Sequence, residues 1–280
     1  MQNYVQTSSG IILPEYIIRK PKLPIAFDFF AGCGGFSCGA IQAGFEIIGA
    51  NEFNPEASIT YMCNLGNYPI DIHYIEGEKD KNRLDHSIEQ DYKRKPKSAI
   101  LYETYTSGSG WISKTDFPGV KNFWFGDVCK LTGKEILDTL GLKQGDIDVV
   151  CGGPPCQGFS KCGKREVGDK RNNLVYEFAR MIVELQPKTF IMEEVPDVLN
   201  FYDSDGVPVL DKFCMILQNG DFGKWDMIKK SLLTQAGSAG VLKDQLQRHK
   251  NIKPKKEKRK SDEPNLFDEY KEVENDNNNQ

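Results

Sequence analysis

The chain has 280 residues, of which 39% are hydrophobic, 27% are charged and 11% are aromatic, and its formal net charge is −4. This composition is ordinary for a globular protein, and no apolar run approaches the roughly 20 residues of a membrane-spanning helix. The first residues lack the basic and apolar parts of a signal peptide, so we expect a soluble intracellular protein with mostly free cysteines.

Apolar runs alternate with helical patterns along most of the chain. Strands are predicted at 25–30, 45–52, 122–128, 147–153 and 189–195, and helices at 36–44, 55–65, 133–141 and 173–187. A polar segment, residues 66–121, interrupts the alternation. Such a pattern is typical of an α/β protein with a mostly parallel sheet. In these sheets ligands bind beyond the carboxyl ends of the strands, where this sequence places its glycines and acids.

The first three strand ends predict a pocket for a nucleoside cofactor. The first strand runs into a glycine-rich loop, "DFFAGCGGF" (28–36), which allows a tight turn and a close backbone approach. Glu52 ends the second strand, where a carboxylate suits a ribose diol, and Asp127 follows the third, where it could accept from an adenine amino group. The spacing alone leaves NAD and other adenosine cofactors open. Because the loop has no device for a pyrophosphate and no P-loop sequence follows it, S-adenosylmethionine is the leading candidate.

The remaining strand ends supply a thiol and a carboxylate. Cys156 lies in the stiff loop "CGGPPCQGFS" (151–160), and Glu193 closes the run "FIMEEV". A cysteine in such a loop, followed by several lysines and arginines, is predicted to be a nucleophile with an acid partner rather than an inert core residue. A zinc site formed by Cys151, Cys156 and Cys162 is disfavoured, because no tight C-x2-C pair exists.

Together these stretches resemble the motifs of the cytosine-5 DNA methyltransferase family, in the family's order, between about residues 25 and 200. The similar stretches are "FDFFAGCGGFS", "NEFNPEASITYMCN", "GDV", "GGPPCQGFS", "DKRNNL" and "PKTFIMEEV". The resemblance implies a doubly wound sheet of the Rossmann-like S-adenosylmethionine methyltransferase type. It also implies roles for individual residues: cofactor binding by Phe30, Ala31, Gly32, Cys33, Gly34, Gly35, Glu52, Asp127 and Pro154, substrate binding by Gln157, Ser160 and Arg171, catalysis by Cys156 and Glu193, and no metal ligand.

By the family's mechanism, the Cys156 thiolate adds to carbon 6 of cytosine while Glu193 contacts N3 of the ring. Carbon 5 thereby becomes nucleophilic enough to take a methyl group. The implied substrate is double-stranded DNA, from which the target base must be flipped out. Such a protein is expected in the bacterial cytoplasm or nucleoid, cell- or phage-encoded, as in restriction–modification systems.

The sequence also departs from the family pattern. Glu194 stands where the family has an asparagine that helps to hold the nucleophile loop, and the polar insertion 66–121 is longer than usual. Its basic and aromatic residues suggest either phosphate contacts or a solvated insertion.

The family's C-terminal recognition region has no clear counterpart after Val195. A split enzyme with a second subunit, a truncated product and a minimal active form are therefore all open. So are a non-catalytic cofactor-binding subunit and a cytosine-5 methyltransferase acting on RNA such as tRNA. The predicted organisation is an extension (1–24), a catalytic domain (25–250) and a charged, disordered tail (251–280).

Overall fold

The computed structural model describes residues 4–6, 12–14, 23–94, 108–155, 174–203 and 206–237. The chain divides into two compact units, Met1–Thr234 and Gln235–Gln280, and of the second unit only residues 235–237 are described. The predicted domain limit at residue 250 and the predicted tail lie outside the described residues. No helix in the described part of the chain is long and apolar enough to cross a membrane.

The first unit contains a short hairpin and a larger sheet. The strands are β1 (Tyr4–Gln6), β2 (Ile12–Pro14), β3 (Ile25–Phe29), β4 (Glu46–Glu52), β5 (Gly66–Tyr74), β6 (Val120–Phe125), β7 (Val149–Gly152) and β8 (Thr189–Met192). The helices are α1 (Gly35–Gln42), α2 (Pro55–Leu65), α3 (Glu78–Arg94), α4 (Gly133–Leu140), α5 (Leu174–Leu185), α6 (Val209–Asn219) and α7 (Trp225–Gly237). Each strand and helix predicted from the sequence is present, with ends that differ by a few residues.

The larger sheet has the strand order β5-β6-β4-β3-β7-β8, and all of its pairs are parallel. Successive β3 side chains point to opposite faces. On one face, Ala26 belongs to a core that includes Ile41 of α1 and Tyr61 of α2. On the other face, Phe29 contacts Phe178 of α5. Helices therefore cover both faces, and the predicted doubly wound α/β fold is confirmed.

The predicted polar insertion contains two elements that sequence reasoning missed. β5 is an edge strand in which Ile70, Ile72 and Tyr74 alternate with polar residues and pack toward the core. Pro69 lies where the pairing of β5 with β6 changes register, as expected for proline in an edge strand. α3 follows, and its buried positions Asp80, Leu84 and Ile88 recur every four residues along one helix face.

Candidate active site

Five strands of the large sheet end at the same edge. Phe29 at the end of β3 is paired with Asn51 of β4 on one side and Gly152 of β7 on the other. Glu52 is paired with Phe125 of β6, and Gly152 with Met192 of β8. The residues that follow these strands are consequently brought to one edge, although they lie far apart in the sequence.

The glycine-rich loop after β3 is held in a tight, left-handed turn. Phe30 (φ 53°), Gly32 (φ 54°) and Gly34 (φ 94°) all have positive φ, which is uncommon for a residue such as phenylalanine. The backbone N–H of Gly34 donates to the carbonyl of Ala31 over 2.9 Å. A side chain on Gly34 would also clash with Leu65, since an added Cβ would lie 2.3 Å from its Cδ1. The strained Phe30 backbone is of the kind that collects at binding sites.

The carboxylate of Glu52 organises the junction between the first two strand ends. Its Oε2 accepts from the backbone N–H of Gly32 over 2.8 Å. Its Oε1 accepts from the N–H groups of Phe53, over 2.8 Å, and Asn54, over 2.7 Å. Because each carboxylate oxygen has about two lone pairs, Oε2 keeps capacity for a further donor such as a ribose hydroxyl.

Asp127 begins a short turn after the end of β6. Its Oδ1 accepts from the N–H of Cys129 over 3.0 Å and caps a 3₁₀ turn, Val128–Lys130. Burial, together with the Asp127 carboxylate, raises the pKa of the Cys129 thiol to about 12. Cys129 is therefore a neutral thiol rather than a nucleophile at neutral pH.

Arg180 of α5 holds the turn Val128–Lys130 in place. Its Nη2 donates to the carbonyl of Val128 over 2.9 Å, its Nε to Glu177 over 2.8 Å and its Nη1 to Glu184 over 2.7 Å. These two carboxylates hold the pKa of the guanidinium above its ordinary value despite its burial. The turn after Asp127 is thus tied to the helix that follows the Cys156 loop in the sequence.

A buried acid lies beneath the glycine-rich loop. Asp28 is fully buried, and its Oδ2 accepts from the N–H and hydroxyl of Ser37 over 3.1 and 2.7 Å. The Ser37 hydroxyl also lies 2.6 Å from the hydroxyl of Tyr61. Burial raises the pKa of Asp28 to about 7 against the opposing effect of the Ser37 bonds. The carboxyl group links β3 to α1 directly and, through the Ser37 hydroxyl, to α2.

Glu193 lies against the start of the loop that carries Cys156. Its backbone N–H donates to the carbonyl of Gly152 over 3.0 Å. An added Cβ on Gly153 would lie 2.9 Å from Glu193 Oε2, so the carboxylate occupies the space that a side chain at 153 would need. Pro154 is buried directly after these glycines. The carboxylate therefore lies against a residue, Gly153, that is three positions before Cys156 in the sequence.

The predicted site residues fall into two groups. The structure places one group around the edge where the five strands end: Phe30, Ala31, Gly32, Cys33, Gly34, Gly35, Glu52, Asp127, Pro154 and Glu193. Cys156, Gln157, Ser160 and Arg171 lie outside the described residues.

Of the three cysteines of the disfavoured zinc site, only Cys151 is described, and it is buried in β7. No group of three or more metal-ligating side chains occurs in the described part of the chain.

Sequence reasoning missed Phe53 at this edge. Its side chain follows Glu52 directly and is 57% exposed, although it is a large apolar ring. An exposed aromatic ring beside convergent polar groups is a common feature of ligand-binding sites. The signal was available in the sequence as an aromatic residue next to the predicted ribose acid.

Comparison with known proteins decides the family. The model of the C-5 cytosine-specific DNA methylase family matches residues 26–91 and 114–223. This chain belongs to that family. The match covers the strands of the large sheet except Ile25 and includes most of α3, but not residues 92–113 of the polar insertion.

Relatives of this chain include several type II methyltransferases. It is 28% identical to type II methyltransferase M.XorII of Xanthomonas oryzae over 71% of this chain and 37% of that protein. It is 29% identical to M.DdeI of Desulfomicrobium norvegicum over 70% of this chain and 36% of that protein. With M.HgiGI of Herpetosiphon aurantiacus the identity is 31% over 60% of this chain and 87% of the relative. The chain thus spans only about a third of M.XorII and of M.DdeI.

Proposed function

We propose that this chain transfers a methyl group from S-adenosylmethionine to carbon 5 of cytosine in double-stranded DNA. The observation that carries the proposal is the common edge at which Glu52, Asp127 and Glu193 end or follow parallel strands of one sheet, next to the loop leading to Cys156. Family membership supports the reaction type.

The groups at this edge suit S-adenosylmethionine. The Glu52 carboxylate is fixed by three backbone N–H groups and retains acceptor capacity for ribose hydroxyls. Asp127 and the exposed ring of Phe53 follow paired strand ends, where they suit an adenine base. The bound cofactor would supply an electrophilic methyl group on a positively charged sulfur.

Cys156 and Glu193 would activate the cytosine. The Cys156 thiolate forms a bond to carbon 6, and Glu193 donates a hydrogen bond or a proton at N3 to receive the charge that develops in the ring. Carbon 5 becomes an enamine carbon and would take the methyl group, whose bond to the cofactor's sulfur breaks and leaves S-adenosylhomocysteine. Transfer of the proton on carbon 5 to a base, such as water, then restores the double bond as the Cys156 thiolate leaves carbon 6. The position of Glu193 against Gly153, close to the Cys156 loop, supports this pairing.

We also propose that reading of the target sequence depends on groups outside residues 26–223. Those groups would belong to the remaining residues of the protein or to a second subunit. The relatives M.XorII and M.DdeI extend well beyond the matched region, which supports this division. Acting on chromosomal or phage DNA, such an enzyme would work in the cytoplasm or nucleoid.

The decisive experiment is covalent trapping on duplex DNA that contains 5-fluorocytosine, because fluorine at carbon 5 blocks release of the enzyme. A pool of random duplexes is used with S-adenosylmethionine, with and without the product of a neighbouring methyltransferase gene. We expect a stable adduct with the wild type and with Cys63→Ser, and none with Cys156→Ser. Cys63 is a suitable control because it is partly exposed and lies at the far end of α2.

Three outcomes would replace the proposal. Cofactor binding without trapping, even with a partner present, would identify a non-catalytic cofactor-binding subunit. Cys156-dependent trapping on tRNA in preference to duplex DNA would identify an RNA methyltransferase. Binding of NAD in preference to S-adenosylmethionine would identify an oxidoreductase.

A further inference from the structure

α3, which the sequence marks only as part of a polar insertion, packs directly behind the Asp127 end of the site. Asp80 is buried, and its Oδ2 would lie 2.3 Å from a Cβ added to Gly126, the residue before Asp127. Gly126 also has a φ of 141°, which side chains rarely adopt. Conformation and space both require glycine here, so the contact between α3 and the strand end is close and specific.

Arg83, one helical turn further along α3, lies between two aromatic rings. Its guanidinium carbon is 4.0 Å from the centroid of the Phe53 ring and 4.6 Å from that of Phe125. Phe125 is fully buried, whereas Phe53 is the exposed ring at the edge of the site. The guanidinium therefore connects a buried core ring to an exposed ring at the edge of the site.

The orientation of Arg83 is itself fixed. Its Nη2 lies 3.1 Å from Oδ1 of Asp80, whose carboxylate also accepts from the backbone N–H of Glu76 over 2.9 Å. The Arg83 Nε is buried and has no hydrogen-bond acceptor among the described residues. A buried N–H without an acceptor is unfavourable, so the hydrogen bonds alone do not account for the placement of this side chain. Stacking of the planar guanidinium on the two rings does account for it.

We propose that Arg83 is a positioning residue for the cofactor, and that it acts by holding Phe53 as a flat wall for the adenine base. One face of the Phe53 ring is covered by the guanidinium, so its exposed area lies on the opposite face and the ring edge. Phe53 directly follows Glu52, which is paired in the sheet with Phe125, two residues before Asp127. The inference rests on the proposed function, because it requires an adenosyl ligand at this edge.

This role differs from a contact between the insertion and DNA phosphates. Arg83 is half-buried and paired with Asp80, and Lys79, Lys81 and Lys93 on the same helix pair with Glu76, Asp85 and Glu89. A lysine or arginine that binds phosphate needs an exposed, uncommitted charge. The cations described on α3 are instead each paired with a carboxylate three or four residues away.

The test is a double-mutant cycle on binding of S-adenosylhomocysteine, measured by calorimetry on the full chain. Arg83→Met keeps the length and apolar stem of the side chain but removes the planar charge, and Phe53→Leu removes the ring. Both single variants should weaken binding about three- to tenfold, as expected for loss of a cation–π contact and a stacking surface. The double variant should be little weaker than Phe53→Leu alone, because Arg83 acts through that ring. Lys79→Met, on an exposed side chain of the same helix, should bind like the wild type.

A second measurement separates positioning from folding. In a Phe53→Trp background, ligand binding should change the fluorescence of the new tryptophan, and Arg83→Met should reduce that change. Arg83→Lys, which keeps the charge and is the milder variant if Arg83→Met does not fold, should restore part of the affinity.

Several results would overturn the inference. If the affinity loss of the double variant equals the product of the two single losses, Arg83 does not act through Phe53. The same follows if the affinity of Arg83→Met lies within twofold of that of the wild type. If Arg83→Met lowers the salt dependence of DNA binding and leaves the cofactor affinity unchanged, Arg83 is a phosphate contact. If the wild type itself does not bind S-adenosylhomocysteine, the proposed function fails as well, which distinguishes the two failures.

Discussion

The carboxylate of Glu52 accepts a 2.8 Å hydrogen bond from the backbone N–H of Gly32, and this bond joins the end of β4 to the glycine-rich loop that follows β3. Glu52→Gln removes the charge that strengthens the bond and leaves one acceptor oxygen where there were two. We expect affinity for S-adenosylhomocysteine to fall by about tenfold or more, as for loss of a charged hydrogen bond. Calorimetry measures the affinity of each variant for S-adenosylhomocysteine. Glu46→Gln, at the opposite end of the same strand, is the control, and an equal loss in both variants would contradict the assignment.

Asp28 should make stability decrease with rising pH. Burial raises its pKa from 3.8 to about 7, so between these values the folded protein holds a proton that the unfolded chain has lost. The contribution of Asp28 to the free energy of unfolding is therefore fully present below about pH 4 and is lost as pH rises through about 7. The total loss is up to a few kcal/mol.

Asp28→Asn resembles the protonated acid and can still accept from Ser37, so it should flatten the decline in the free energy of unfolding between about pH 4 and 7. Urea denaturation at several pH values measures the free energy of unfolding in the wild type, in Asp28→Asn and in Asp138→Asn. Asp138 is 64% exposed and serves as the control. Parallel curves for the wild type and Asp28→Asn would show that Asp28 does not titrate in this range.

Arg180→Met should destabilise the turn after Asp127. The side chain is 14% exposed and holds Glu177, Glu184 and the Val128 carbonyl, so its loss leaves two carboxylates without their shared cation. We expect a decrease of about 2–3 kcal/mol in the free energy of unfolding, with weaker cofactor binding. Lys134→Met breaks a pair whose members are 82% and 64% exposed, and it should cost less than about 0.5 kcal/mol. Similar losses in the two variants would argue against a structural role for the Arg180 network.

Gly153→Ala should separate cofactor binding from catalysis. The new methyl group would lie 2.9 Å from Glu193 Oε2, and the flexible carboxylate can move away without disturbing the fold. We expect methyl transfer to fall about tenfold or more, as is typical when a catalytic acid is misplaced, with affinity for S-adenosylhomocysteine unchanged. Single-turnover transfer of labelled methyl groups measures the rate. Gly39→Ala, where an added Cβ meets nothing within 4 Å, should leave both quantities unchanged. An unchanged rate in Gly153→Ala would remove Glu193 from the mechanism.

Much of the site could be predicted from the sequence because its polar residues directly follow apolar strands. The sequence predicts Glu52 and Asp127 at the ends of two parallel strands, and parallel strands place such ends at one edge of the sheet even though β5 intervenes between them along the chain. The glycines of the loop were recognisable because few other residues permit positive φ. These features depend on local sequence and on a general property of parallel sheets.

The tertiary structure alone decided the features that depend on contacts between distant segments. β5 has only an alternating pattern interrupted by Pro69, and its place at the edge beside β6 is set by pairing that no local rule specifies. The charges of α3 suggested solvent or phosphate, whereas packing turned Asp80 inward against Gly126 and placed Arg83 between Phe53 and Phe125. Sequence by itself determined which residue types stand at the strand ends. Packing decided which side chains contact those residues and hold them in place, because burial and contact are properties of the folded chain.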